Sequence, residues 1–189
     1  MDMRCSLFCL LLLLSLLSRG QDWILVDSAL RPALSPMGSK NPNCYVGSFT
    51  GKSAEGKTYS RDSLTGKIAI LNFWFESCLP CISEFNSLNN LYNKFKDNPD
   101  FLFLSFTFDG PGTFKKVIRD YHLEFPVVSM SENDIRELIF NLGFPTTIIT
   151  DKTGKITFIK CGGFNDEEHA GESIDTLFVP EIQRLLSSK

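Results

Sequence analysis

Ile68-Ala69-Ile70-Leu71-Asn72-Phe73-Trp74-Phe75 is apolar at nearly every position, and Cys78-Leu79-Pro80-Cys81 follows after two residues. Such a run suits a central strand buried on both faces. Beyond it, Ile82, Phe85, Leu88, Leu91, Tyr92 and Phe95 recur at helical spacing. The two cysteines therefore stand at a strand-to-helix junction, where unpaired backbone N–H groups and the helix dipole favour negative charge. That setting lowers a thiol's pKa from about 8.5 toward neutrality or below and yields the thiolate that attacks disulfides. A pair so close can close a small ring and reopen it, so dithiol–disulfide exchange is the leading chemistry and a structural staple the alternative.

Outward from this stretch the chain alternates strands and helices. Residues 45–49 and 57–60 flank a Gly-containing turn and predict a short hairpin. Residues 101–108 predict a second buried strand, dense in phenylalanine, and 113–121 a helix with Phe114, Val117, Ile118 and Tyr121 inward. A further helix is expected over 131–140, with Gly143 placed to end it. Residues 146–150 and 155–160 alternate around Asp151-Lys152-Thr153-Gly154, a hairpin signal. A closing helix is expected over 173–186. The order predicts an α/β fold, a mixed sheet sandwiched by helices with an N-terminal hairpin extension, in one domain over 44–189.

Residues 1–20 carry Arg4, an apolar run over 7–17 and Ser18-Arg19-Gly20, the pattern of a cleaved secretory signal. The run is about half the ~20 residues that span a bilayer. Residues 21–43, with Pro32, Pro36, Gly38 and Pro42, read as an irregular lead-in. Cleavage would leave Cys44, Cys78, Cys81 and Cys161; Cys44 and Cys161 are either buried thiols or partners of each other. The net charge of −3 comes with scattered lysines and no basic stripe, which argues against nucleic acid. His122 and His169 lack ligand spacing, Ile82 stands where haem attachment needs histidine, and no phosphate loop or dinucleotide fingerprint exists. No metal and no cofactor are expected.

These residues resemble the thioredoxin superfamily, specifically its exported TlpA/ResA-like thiol–disulfide oxidoreductases, over roughly 46–186. The resemblance rests on Gly66-Lys67-Ile68-Ala69-Ile70-Leu71-Asn72-Phe73-Trp74, on Cys78-Leu79-Pro80-Cys81 with Glu84 beyond, and on Gly143-Phe144-Pro145-Thr146-Thr147. It implies that Pro145 is cis and faces the cysteines, with the backbone at Phe144 presenting an edge to substrate. Cys78 would be the exposed nucleophile and Cys81 the more buried resolving thiol. Pro80 suits the first helical turn, and Trp74, Leu79, Pro80 and Phe144 are the candidate substrate-binding residues.

Two departures matter. Ser77 replaces the tryptophan usual before the first cysteine, and Asn72 replaces the buried aspartate of thioredoxins. An amide cannot take the resolving thiol's proton. Glu84, three residues after Cys81, is the first candidate for that task, against the alternative of a solvated helix carboxylate; Glu76 is the second. A peroxidatic Pro-x-x-x-Thr/Ser-x-x-Cys pattern is missing, since Phe75 stands where the Thr/Ser is needed. The resemblance further implies a monomeric, periplasmic or envelope reductase of disulfide-bearing proteins. It would keep haem-attachment cysteines (cytochrome c maturation) or other envelope thiols reduced, fed by a membrane-bound electron donor.

Overall fold

A computed structural model describes residues 44–188; the expected signal and lead-in lie outside them. One seven-stranded sheet has the order β2-β1-β5-β4-β3-β6-β7. Its strands are β1 (Thr50–Ser53), β2 (Thr58–Ser60), β3 (Ile68–Trp74), β4 (Phe101–Thr107), β5 (Val127–Ser129), β6 (Thr146–Thr150) and β7 (Ile156–Cys161). The helices are α1 (Leu79–Phe95), α2 (Pro111–Asp120), α3 (Glu132–Leu138), α4 (Glu167–Ser173) and α5 (Val179–Ser187), with a π-helical segment, Ile174–Phe178, joining the last two.

Strands β3, β4 and β5 are parallel, whereas β6 runs antiparallel to β3 and β7 to β6. Every residue of β3 is buried, as a strand covered on both faces requires. Alternation divides its side chains. Ile68, Ile70 and Trp74 pack with α1, α2 and the C-terminal helices, while Ala69, Leu71 and Phe73 pack with α3 and the N-terminal segment. Phenylalanines fill both layers, with Phe103 stacked on Phe125 at 4.6 Å and Phe73 on Phe106 at 5.0 Å. Each such ring contributes roughly 1.5–3 kcal/mol through burial.

The architecture matches the expected mixed sheet between helical layers, with four local corrections. The first hairpin strand is Thr50–Ser53, not residues 45–49. Cys44 to Val46 instead run beside the turn between β6 and β7, where Tyr45 bridges Lys155 and Val46 N–H donates to Gly154 O at 3.1 Å. Strand β5 was missed because three residues after Pro126 carry too little pattern. Helix α3 ends at Leu138, before Gly143, because Phe140 and Asn141 take the left-handed conformation, φ 56 and 57. The closing helix begins at Glu167, capped by Asp166 Oδ1 accepting from His169 N–H at 3.0 Å. Its polar first turns hide that start, and the π segment breaks the 3.6-residue phase.

Candidate active site

Cys78 is the N-cap of α1 and follows β3 through three residues. Its N–H donates to Phe75 O at 3.1 Å, and its carbonyl accepts from Cys81 and Ile82 N–H at 3.0 and 3.1 Å. Pro80 occupies the first turn, where its missing N–H removes no helical bond. The loop is held from the neighbouring strand: Asp109 Oδ2 accepts from Glu76 N–H at 2.7 Å and from the Thr107 hydroxyl at 2.8 Å. Cys78 and Cys81 form a disulfide with Cα atoms 5.2 Å apart.

The expected exposure of Cys78 is not seen in the oxidised pair. Cys78 is 4% exposed and Cys81 1%, so the oxidised pair is covered and Leu79, at 56%, is the exposed residue of the motif. Among the described residues Cys161 is in no disulfide, so it makes no bridge to Cys44. It alternates with Lys160 on β7 and lies beside Gly143.

The Phe144–Pro145 peptide bond is cis. Pro145 is buried, and its carbonyl accepts from Gly162 N–H at 2.8 Å, tying the loop before β6 to the end of β7. The half-buried Phe144 ring meets Phe75 at 5.3 Å and Phe108 at 5.7 Å, with the Arg136 guanidinium 6.0 Å from its centre.

Trp74 is corrected as a substrate contact. Its indole is fully buried, donates from Nε1 to Ser105 Oγ and packs edge-on against Phe85 at 5.2 Å. It faces the core because β3 alternation puts it beneath α1.

Glu84 is not the solvated helix carboxylate of the alternative reading: it is 1% exposed. Its Oε1 accepts from Lys160 Nζ at 2.6 Å, and the Lys160 side chain is 3% exposed. Burial drives the proton affinity of this carboxyl above its ordinary value, and Lys160 opposes the rise. Glu76, by contrast, is exposed.

Lys160 and Gly163 are the residues sequence reasoning missed here. A β-bulge between β6 and β7 breaks the alternation, so Ile156 and Ile159 share one face while Phe158 and Lys160 turn to the other. A lysine ending an apolar strand otherwise reads as a solvated terminus. Gly163 comes against Pro145 and Glu84 together: a Cβ on it would lie 2.9 Å from Pro145 Cγ and 3.2 Å from Glu84 Oε1.

A row of polar residues crosses the sheet under α1. Ser105, Asn72, Thr147 and Lys160 are successive register partners on β4, β3, β6 and β7, each at most 3% exposed. Asn72 Nδ2 donates to Thr147 Oγ1 at 3.0 Å. The arrangement sets a disulfide at a helix start and a buried carboxyl one turn along the same helix.

Known proteins share this frame. Thiol-disulfide oxidoreductase ResA of Bacillus thuringiensis subsp. konkukian is 30% identical over 120 residues, which cover 64% of this chain and 66% of that relative. The thioredoxin domain of a thiol-disulfide oxidoreductase from Bacteroides vulgatus superposes with a TM-score of 0.58 at 25% identity, covering 70% of this chain and 94% of that one. A candidate DsbE thiol:disulfide interchange protein from Chlorobium tepidum superposes with a TM-score of 0.64 at 22% identity, covering 74% and 96%. The AhpC/TSA family model matches residues 42–159, well over half of the sequence, and the chain belongs to that thioredoxin-like family.

Proposed function

We propose that this protein is a thiol–disulfide oxidoreductase acting through Cys78 and Cys81, and specifically an exported reductase of disulfide-bearing proteins. The observation that carries the reading is the Cys78–Cys81 disulfide at the start of α1. The names of its relatives support it.

In the reductive direction Cys78 thiolate attacks one sulfur of a substrate disulfide, forming a mixed disulfide and expelling the first substrate thiolate. Cys81 then loses its proton to Glu84, and its thiolate attacks Cys78 Sγ. The Cys78–Cys81 bond closes, the second substrate thiolate leaves and takes up a proton, and two electrons have passed to the substrate. Leu79, Pro80 and Phe144 are the surface offered to the substrate. The sequence of residues 1–20 supports export to an envelope compartment, where a membrane-bound donor would restore the dithiol. Haem-attachment thiols are the substrate class that the ResA likeness favours.

Thiol trapping across glutathione and dithiothreitol buffers tests this, in a Cys44→Ser/Cys161→Ser background. A potential near or below about −230 mV with turnover supports the reductase, and one near about −120 mV an oxidase. The near-complete burial of Cys78 favours one second reading, a static staple. A pair that resists reduction to below about −300 mV and shows no turnover would establish it.

A further inference from the structure

Lys160 is buried on the sheet face beneath the disulfide helix. It completes the polar row from Ser105, and Nζ sits 2.6 Å from Glu84 Oε1 and 5.5 Å from the centre of the Phe178 ring. Phe178 is fully buried and closes the π-helical segment, an irregularity that often accompanies functional sites. The other carboxylate oxygen, Oε2, is buried with no hydrogen-bond partner among the described residues. A buried ion pair with one oxygen left over is poor value for stability, since apolar residues of similar volume often hold a fold as well. Its position, one helical turn from Cys81 and against Gly163 beside Pro145, points to the redox site instead.

We propose that Lys160 is a positioning residue of the redox site: its ammonium holds Glu84 Oε1, leaves Oε2 as the proton acceptor for the cysteine pair, and sets the pH range in which that oxygen can accept. The proposal rests on the exchange chemistry above. On that scheme Cys81 passes its proton to Oε2 as it becomes the attacking thiolate, and Oε2 returns the proton when the substrate thiolate leaves. Lys160 itself neither gives nor takes a proton. It is the charged group that acts on Glu84 from β7. On the C-terminal helix packed against α1, Glu167, Glu168, His169, Glu172 and Asp175 are exposed, and Gly163 and Pro145 bring no charge.

The test is the pH profile of exchange with oxidised glutathione, for the wild type, Lys160→Met, Lys160→Arg, Glu84→Gln and Cys78→Ser. Lys160→Met should move the acid limb of the profile upward by about one pH unit, slowing exchange about tenfold on that limb. Lys160→Arg should restore the limb, and Glu84→Gln should erase it. A Lys160→Met profile that superimposes on the wild type while Glu84→Gln alters it overturns the role of Lys160 alone. If Glu84→Gln also leaves the profile intact, the carboxylate is not the acceptor and the proposal falls while exchange at Cys78 stands. Full exchange by Cys78→Ser overturns the exchange reading itself and the proposal with it. Should Lys160→Met fail to fold, wild-type protein labelled with ¹³C at glutamate carboxyls and ¹⁵N at lysine ammoniums decides. In the dithiol form the Lys160 ammonium resonance should move as the Glu84 carboxyl titrates, and a Lys160 signal indifferent to Glu84 overturns the proposal.

Discussion

Gly163 packs its bare α-carbon against the ring of Pro145: a Cβ built there would lie 2.9 Å from Pro145 Cγ and 3.3 Å from Cδ. Real Cβ atoms do not sit so close to a ring that cannot turn away, and Glu84 Oε1 would lie only 3.2 Å from the same Cβ. Gly163→Ala must therefore push Pro145, Glu84 or the end of β7. We expect a stability loss of about 1–3 kcal/mol, typical of overpacking, and exchange slowed at least several-fold. Gly112→Ala is the contrast, because nothing lies within 4 Å of its Cβ position in the first turn of α2. It should leave exchange unchanged and gain up to about 1 kcal/mol. Urea unfolding and glutathione exchange measure both, and equal behaviour of the two variants would falsify the packing argument.

Trp74 tests the boundary between core and site. Its indole donates to Ser105 Oγ inside the layer that α1 covers. Trp74→Phe removes that donor and some volume while leaving the surface untouched. The expected loss is about 1–3 kcal/mol, the cost of a buried hydroxyl deprived of its partner together with a small void. Exchange with a protein disulfide should keep its KM. A raised KM at unchanged stability would instead return Trp74 to the substrate surface.

The parts of the molecule that periodicity and turn signals encode were legible in the sequence: β3, α1 and β4 follow from apolar runs and a helical stripe, β6 follows from the hairpin signal at Asp151–Gly154, and α1 starts where the CxxC spacing puts it. The burial of Ser83, Glu84 and Asn89 was not, because their polarity reads as a solvated face. Asn89 escapes that reading by donating to His122 O and accepting from Glu124 N–H, contacts 33 and 35 residues away. Glu84 does so through Lys160, 76 residues on. Partners at such separations are set by strand order and register, which local pattern does not carry. The bulge before Lys160 hid even the face on which it stands.

Leu79 gives the site its exposed apolar residue, at 56%, and occupies the first position of α1 beside Cys78. Charge placed there acts on the Cys78 thiolate through solvent, at a few tenths to about 1 kcal/mol. Leu79→Lys should shift the pH midpoint of iodoacetamide alkylation in the dithiol form downward, and Leu79→Asp should shift it upward. Stability should stay within about 0.5 kcal/mol, as for exposed positions generally. Identical midpoints for the two variants would mean that Cys78 is not the thiolate that iodoacetamide reads.

The Glu84–Lys160 pair makes a prediction about stability that separates its role from packing. In the folded protein burial raises the proton affinity of Glu84 above the ordinary value of 4.5, so the folded state binds more protons than the unfolded chain between that value and the raised one. Stability from this group therefore falls as pH rises through that window and stays low above it. Glu84→Leu/Lys160→Met carries neither charge and should lack that dependence. Relative to the wild type, its urea midpoint should climb as pH increases from about 4.5. Near neutrality the double variant should be equal to the wild type or more stable by about 1–4 kcal/mol. Lys160→Met alone should be less stable than the double variant, because it leaves the carboxyl buried without its cation. A double variant that is less stable than the wild type at every pH would make the pair a structural fastening, and the case for keeping two charges beneath the disulfide helix would then rest on packing after all.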